Sequence, residues 1–537
     1  MSRTTRTFAI VTAFIIGIAS SLIALSPTGA ASTSGESLCI AKVFACADLH
    51  RHTNYEGDYS GHDEPALQFN STRPGSGNQS FYRVTLPRDS VVLPKQDGTG
   101  GTWNFQLHPT FWFGMDLCDP QSGPEYTHDP CVPNSDTNIF NSPDPNAPDW
   151  IGHHPGGAFL ELQFYPPGWT ALPAGTSCTS TQWCAAMTID SLNFSDLTNL
   201  DNNKDCLTKV SDEPVNIGMI TKSGVAHSPA GPLENGKGTP NTAYTFNPST
   251  DLLMNPGDQL AVDIHDTTAG LTSIVHDLTT GQTGSMTASI ANGFAQVQFD
   301  PTAKKCSEVP YAFHPMYSTS TPNTRLEWTA HSLNVSMSDE IDHFEYCNHV
   351  SLNGGCQGGN ATDPTADSDN DLCMRSDQSL LVQINGCVSS FDTDFDGVSY
   401  QNDWPGTTSD PSRTSEPLRF SSPTFADQQY DAVSFQTDLV NLQRFAGVCT
   451  STTLSKCTVP PVGAPFYPMY TTGNAPGGGC EWREGGANIP GATNTFGGSP
   501  TAEWGPVVPS FYPTGPASTA IFYENFENAL PTNPCPQ

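Results

Sequence analysis

Residues 158–165 read A-F-L-E-L-Q-F-Y. Ala158, Leu160, Leu162 and Phe164 fill one face, and Phe159, Glu161, Gln163 and Tyr165 the other, which is the period of two that defines a β-strand. Pro166-Pro167-Gly168-Trp169 stops the strand and adds a ring at its end. One face is apolar and suits a core. The second presents ring, carboxylate, amide and ring in sequence.

The same period recurs elsewhere. Residues 259–265 alternate Leu260, Val262 and Ile264 with Ala261, Asp263 and His265, turn through T-T-A-G, and return as Leu271–Asp277. A third alternating run, Phe294–Phe299, follows the turn at Asn292-Gly293. The 47 glycines and 46 prolines punctuate nearly every segment, so short strands between turns are expected. The stretch from Ala426 to Ala446 is the one segment that reads as a helix of any length.

A repeated string suggests how the strands are grouped. Cys306 opens C-S-E-V-P-Y-A-F-H-P-M-Y, followed by Glu327-Trp328; Cys457 opens C-T-V-P-P-V-G-A-P-F-Y-P-M-Y, followed by Glu481-Trp482. Two copies are too few for a solenoid and point to paired sheets or domains. A chain of 537 residues also exceeds what one core usually supports. The expected fold is therefore all-β, with two antiparallel β-sandwich or jelly-roll-like units: residues 31–305, and residues 306–537 with an Asp-rich loop.

The N-terminus places Arg3 and Arg6 before an apolar run from Phe8 to Leu25, then small residues at Thr28-Gly29-Ala30. That order of charge, apolar run and small residues is a secretory signal, so residues 1–30 are read as a leader and the protein as secreted. Sixteen cysteines follow, an even number that suits a disulfide-rich exported chain. Close neighbours in sequence make the simplest pairs: Cys39/Cys46, Cys118/Cys131, Cys178/Cys184, Cys347/Cys356, Cys373/Cys387 and Cys449/Cys457. The absence of any C-x₂-C argues against zinc.

The formal net charge is −33, which opposes binding to nucleic acid or to an anionic membrane surface. Charged residues are nevertheless only 14% of the chain and aromatics 10%, so this is a chain that builds a core rather than a disordered acidic tail.

Residues 392–403 read D-T-D-F-D-G-V-S-Y-Q-N-D. Asp392, Asp394, Asp396 and Asp403 supply hard oxygen ligands, and Gly397 permits the sharp turn, a spacing that suits Ca²⁺. Cys387 just upstream and Trp404-Pro405-Gly406 just downstream leave no room for the helices of an EF-hand. The expectation is a structural calcium clip. Asp367, Asp369 and Asp371 form a second acidic run able to lend ligands to the same ion.

The polar face of the 158–165 strand is the leading ligand site. Phe159, Tyr165 and Trp169 would stack on pyranose rings while Glu161 and Gln163 take hydroxyls, making an extracellular polysaccharide the expected partner. The alternative is a glycan-active enzyme, hydrolase or lyase, using Glu161 or the pair His343 and Glu345, which share one face if residues 339–347 form a strand. A structural surface protein without a small ligand is the third reading. Gly231-x₄-Gly236-Lys237 lacks the hydroxyl residue of a phosphate loop, and neither G-x-S-x-G nor H-E-x-x-H occurs. Asn70, Asn78, Asn193, Asn334 and Asn360 head glycosylation sequons.

The strings GAFLELQFYPPGW, DLTTGQTGSMTASIANGF, SDEIDHFEYC, DTDFDGVSYQNDWPGT and GGGCEW together span most of the chain after the leader. They resemble a group of uncharacterised secreted proteins of actinobacteria and filamentous fungi. The resemblance implies an extracellular setting and carries no activity.

Overall fold

The computed structural model describes residues 66–70, 76–88, 111–124, 156–165, 181–195, 200–235, 246–315, 328–332 and 418–425. Isolated positions and short strands extend this at 372–374, 386–388, 428–429, 432–436, 470–474, 480–484, 501–502, 507–509, 524–526 and 528–530. These residues are mostly strands in antiparallel sheets, so the protein is all-β.

The first strands are β1 (Ala66–Asn70), β2 (Gln79–Thr85), β3 (Phe111–Cys118), β4 (Gly157–Tyr165) and β5 (Cys184–Asp190). An eight-stranded sheet runs 528–530, 432–436, β1, 328–332, β3, β4, β5, 215–219. A ten-stranded sheet runs 283–287, 270–277, 259–267, β2, 419–421, 480–484, 470–474, 501–502, with Thr424–Phe425 pairing with β2 and Gln428–Gln429 beyond it. The 259–267 and 270–277 strands form the expected hairpin, with Thr267 opposite Gly270. Gly270 sits at φ 130°, a backbone conformation that L side chains rarely adopt.

Alternation decides what each strand buries. Leu160, Leu162 and Phe164 of β4 join Phe111, Phe113 and Met115 of β3 in a core shared with Tyr82 and Val84 of β2 and with Leu260, Val262 and Ile264. Rings cross from one sheet to the other: Tyr82 stacks on Phe113 with centroids 4.3 Å apart, and Phe69 meets Trp482 at 6.2 Å. Each of these side chains is fully enclosed. Burying one such ring contributes about 2–3 kcal/mol.

This core does not respect residue 305. β1 pairs with 328–332 on one side and 432–436 on the other, while β2 pairs with 419–421. Strands from both halves of the chain thus lie in both sheets, and the two expected units are not separate bodies. The reason is open backbone: without the later strands, β1 would have unpaired N–H and C=O groups on both edges. The repeated Glu-Trp string fits this plan. Trp328 opens a strand of the eight-stranded sheet and Trp482 is central in a strand of the ten-stranded one.

A disulfide also crosses the expected boundary. Helix α1 (Lys204–Val210) is capped by Asn203, whose side chain accepts from the Cys206 backbone N–H. Cys206 bonds Cys306, a sequence separation of 100, and Asp205 accepts from the Cys306 N–H at 2.8 Å. Pairing is therefore not confined to neighbours. Cys118 and Cys184 are also disulfide-bonded, and Cys373 stands directly opposite Cys387 in a small antiparallel ribbon.

Where residues within the expected helix 426–446 are described, they are strand. Gln428–Gln429 and Ala432–Gln436 are strands, the second inserted between β1 and 528–530. Within it A-V-S-F-Q alternates with period two, and that local pattern wins over the longer helical reading.

A chain ending at residue 305 should give no cooperative thermal transition by circular dichroism, whereas the full chain should. A sharp transition in the fragment would mean that the first half folds alone.

Candidate functional site

The outward row of β4 is built around a missing side chain. Gly114 of β3 is the cross-strand partner of Glu161. A Cβ there would lie 2.6 Å from both the Leu160 carbonyl oxygen and the Phe159 ring, and 2.7 Å from the Trp112 ring. The space allows Trp112 and Phe159 to meet edge to face, centroids 5.3 Å apart at 82°. Phe159 is consequently 0% exposed and does not offer an open stacking surface. This corrects the sequence expectation: the residue lies on the predicted face, but Trp112 and its surroundings enclose it.

Glu161 comes next along the row and is 9% exposed. Its Oε2 accepts from the Gln163 amide, whose Oε1 accepts in turn from the Tyr165 hydroxyl. Gln163 and Tyr165 are half-buried, so the chain of hydrogen bonds leads from partly open surface to the enclosed carboxyl. Thr188, the cross-strand partner of Glu161 on β5, places its hydroxyl 3.5 Å from Glu161 Oε2 and 3.4 Å from Asp190 Oδ2. Two carboxyl groups thus flank one hydroxyl.

Burial pushes the Glu161 carboxyl up to about 8; the Gln163 hydrogen bond opposes this, the charge of Glu213 adds to it, and Thr188 offsets a little. Glu161 therefore carries a proton at neutral pH. The row offers acid, amide and phenol groups able to donate and accept, held in order by their own hydrogen bonds. Tyr165 and Phe246 pack against a small buried apolar cluster of Cys184, Ala186, Ile217 and Met219.

A second buried carboxyl, Asp119, does structural work. It accepts from Gln296 Nε2 at 2.5 Å, from the Gln121 N–H at 3.0 Å and from Ser191 Oγ at 3.2 Å, tying its own turn to Ser191 and to the 295–297 strand. Burial raises it to about 6 in spite of those donors.

Thr188, Asp190 and Trp112 were not read from sequence as site residues. The signal for the first two was present: in C-A-A-M-T-I-D, Thr188 and Asp190 are polar at alternate places of an otherwise apolar run. Trp169, His343, Glu345, Asp392, Asp394, Asp396 and Asp403 lie outside the described residues, as do Asp367, Asp369 and Asp371. The Leu372–Met374 and Gly386–Val388 ribbon pairs Leu372 with Val388, so the two acidic runs adjoin the same end of it along the chain. Among the described residues, no group of three or more His, Cys, Asp or Glu side chains is arranged to hold a metal. The sequon asparagine Asn193 is buried, its amide donating to the Ser211 carbonyl at 2.7 Å, and is closed to glycosylation in the folded state.

No family model matches the chain, and neither the curated proteins nor the solved structures compared with it give a match.

The raised Glu161 carboxyl has a definite sign in stability. An acid whose folded value lies above its unfolded value of about 4.5 holds more protons when folded. Its contribution is undiminished below pH 4.5 and is lost as pH rises towards 8. Glu161→Gln removes this loss, so the variant should gain on the parent between pH 5 and 8 by an amount on the order of a few kcal/mol. Paired melting curves isolate Glu161 from Asp119, and a constant difference across that range would show an ordinary carboxylate.

Proposed function

We propose that the protein is an exported two-sheet β-sandwich that binds polysaccharide along the outward row of β4. The observation carrying this reading is the ordered chain Tyr165–Gln163–Glu161, in which side chains of mixed donor and acceptor character are fixed before any ligand arrives. Preorganised polar groups beside an aromatic ring are what a hydroxyl-rich ring with C–H faces requires, and holding them in advance lowers the ordering cost of binding. Tyr165 supplies the ring in this proposal, Gln163 the amide and Glu161 a protonated acid. Phe159, enclosed against Trp112, closes one end of the row.

A second reading is favoured by one feature. Glu161 retains its proton near neutrality, and Asp190 lies across the Thr188 hydroxyl from it. An acid beside a second carboxyl is the equipment of glycoside hydrolysis.

A glycan array combined with assay of released reducing ends separates the two. The binding reading expects capture of a neutral polysaccharide without release, weakened about tenfold by Gln163→Ala, the worth of roughly one lost hydrogen bond. Release of reducing ends that disappears in Glu161→Gln would select the enzyme. Neither capture nor release would remove both.

Calcium belongs to the same proposal. Asp392, Asp394, Asp396 and Asp403 would hold the ion, with Asp367, Asp369 and Asp371 near enough along the chain to contribute, since both runs adjoin one end of the Cys373/Cys387 ribbon. Its role is stabilisation, because an ion that binds only the folded form adds its binding free energy to stability. Chelator should lower the melting temperature and added Ca²⁺ should restore it. An unchanged melting temperature, with no metal found after dialysis, would end the claim.

A further inference from the structure

Thr188 carries a hydroxyl where packing alone asks for none. Every residue of β5 is buried, and Thr188 is 3% exposed. By register it stands between Glu161 of β4 and Ile217 of the 215–219 strand. Valine has the same branched shape, suits a strand as well and brings no polar group to satisfy. The hydroxyl of Thr188 has only acceptors around it. The Glu161 backbone carbonyl oxygen lies at 3.2 Å, Glu161 Oε2 at 3.5 Å and Asp190 Oδ2 at 3.4 Å. Three acceptors thus surround a group that has one proton to give.

Charge decides among them. A carboxylate accepts more strongly than a carbonyl, so the hydroxyl turns to whichever carboxyl is ionised. The charged groups around Glu161 are acids: Asp190 on β5, Glu213 ahead of the 215–219 strand and, by register, Asp116 of β3 opposite Phe159 in the adjoining row. Among the described residues no lysine, arginine or histidine forms an ion pair with Glu161. Neutral donors therefore tune its acidity. The Gln163 amide is held by its own bond to Tyr165, whereas the Thr188 hydroxyl rotates. While Glu161 keeps its proton, the hydroxyl serves Asp190. Once Glu161 ionises, the two carboxylates compete for it, and donation to Glu161 favours the charged form. That donation offsets part of the rise that burial imposes on Glu161.

We infer that Thr188 is a positioning residue of the β4 site: its one hydroxyl proton, shared between Glu161 and Asp190, sets how firmly Glu161 holds its own. The inference rests on the reading of the β4 row as the ligand site and adds to it a residue that touches no ligand. Thr188 acts through Glu161, the group that either donates to a bound glycan or serves as the acid of glycoside cleavage. A hydroxyl bonded to Asp190 has nothing left for Glu161, so the state of one carboxyl is felt at the other.

The test is a double-mutant cycle of the full chain, read as melting temperature from about pH 5 to about pH 9.5: parent, Thr188→Val, Glu161→Gln and both together. The gap between parent and Glu161→Gln should widen as pH rises and level off once the folded carboxyl has ionised, at about 8. In the Thr188→Val background the levelling point should move up by about half to one pH unit, the worth of one lost hydrogen bond. Asp190 is present in both members of each pair and drops out of the difference. Thr188→Ser keeps the hydroxyl and should restore the parent curve. Thr188→Ala removes it with a methyl group besides, and should move the levelling point alike at a lower melting temperature. A hydroxyl that serves only the Glu161 carbonyl would change the melting temperature equally at every pH and leave the levelling point in place. That result would overturn the inference, as would a Thr188→Ser curve that follows Thr188→Val. The curves need no ligand, so failure of glycan capture would count against the β4 reading and would not imitate any of these outcomes.

Discussion

The stack of Tyr82 on Phe113 joins a strand of one sheet to a strand of the other, and the rest of the structure depends on contacts of that kind. Each sheet has an apolar face that must be covered to leave water. β3 and β4 send Phe111, Phe113, Leu160, Leu162 and Phe164 inward, and β2 with the 259–277 hairpin sends Tyr82, Val84, Leu260, Val262 and Ile264 to meet them. Because β1 and β2 are each flanked by strands from beyond residue 305, this core forms only when distant parts of the chain have come together. Contacts so far apart in sequence make for slow folding, since loop-closure entropy is lost before the core rewards it.

Much of the fold was legible because alternation is a local signal. A-F-L-E-L-Q-F-Y showed both the strand and its inward face, and the alternation at 259–265 showed the hairpin with its polar row. Strand order was not legible, since nothing in β1 names its partners at 328–332 and 432–436. The division at 305 failed for that reason: length and a repeated motif suggested two bodies, while the repeat in fact contributes one Glu-Trp strand to each sheet. The reading of Ala426–Ala446 as one long segment passed over the five-residue alternation that forms the strand Ala432–Gln436.

The site was legible by residue and not by environment. Glu161, Gln163 and Tyr165 do share a face and are joined by hydrogen bonds. What the string could not reveal was depth. Phe159 is closed off by Trp112 across the gap at Gly114, a contact set by strand register, and the same enclosure raises Glu161. Thr188 and Asp190 reach the site for the same reason, from a strand whose pairing no local pattern announces.

The Cys206–Cys306 bond has a consequence of its own. It closes the chain between those residues into a covalent ring that contains the whole 259–277 hairpin and the helix turn at 290–292. A single cut by a protease anywhere within that ring leaves both pieces on one molecule, seated in the same sheet. The exposed tip at Gly281, with no neighbouring atom within 4 Å of where a Cβ would stand, is one place for such a cut. A molecule nicked there would be indistinguishable from the intact one by mass of the assembled chain save for one added water. It would separate into fragments only after reduction and unfolding.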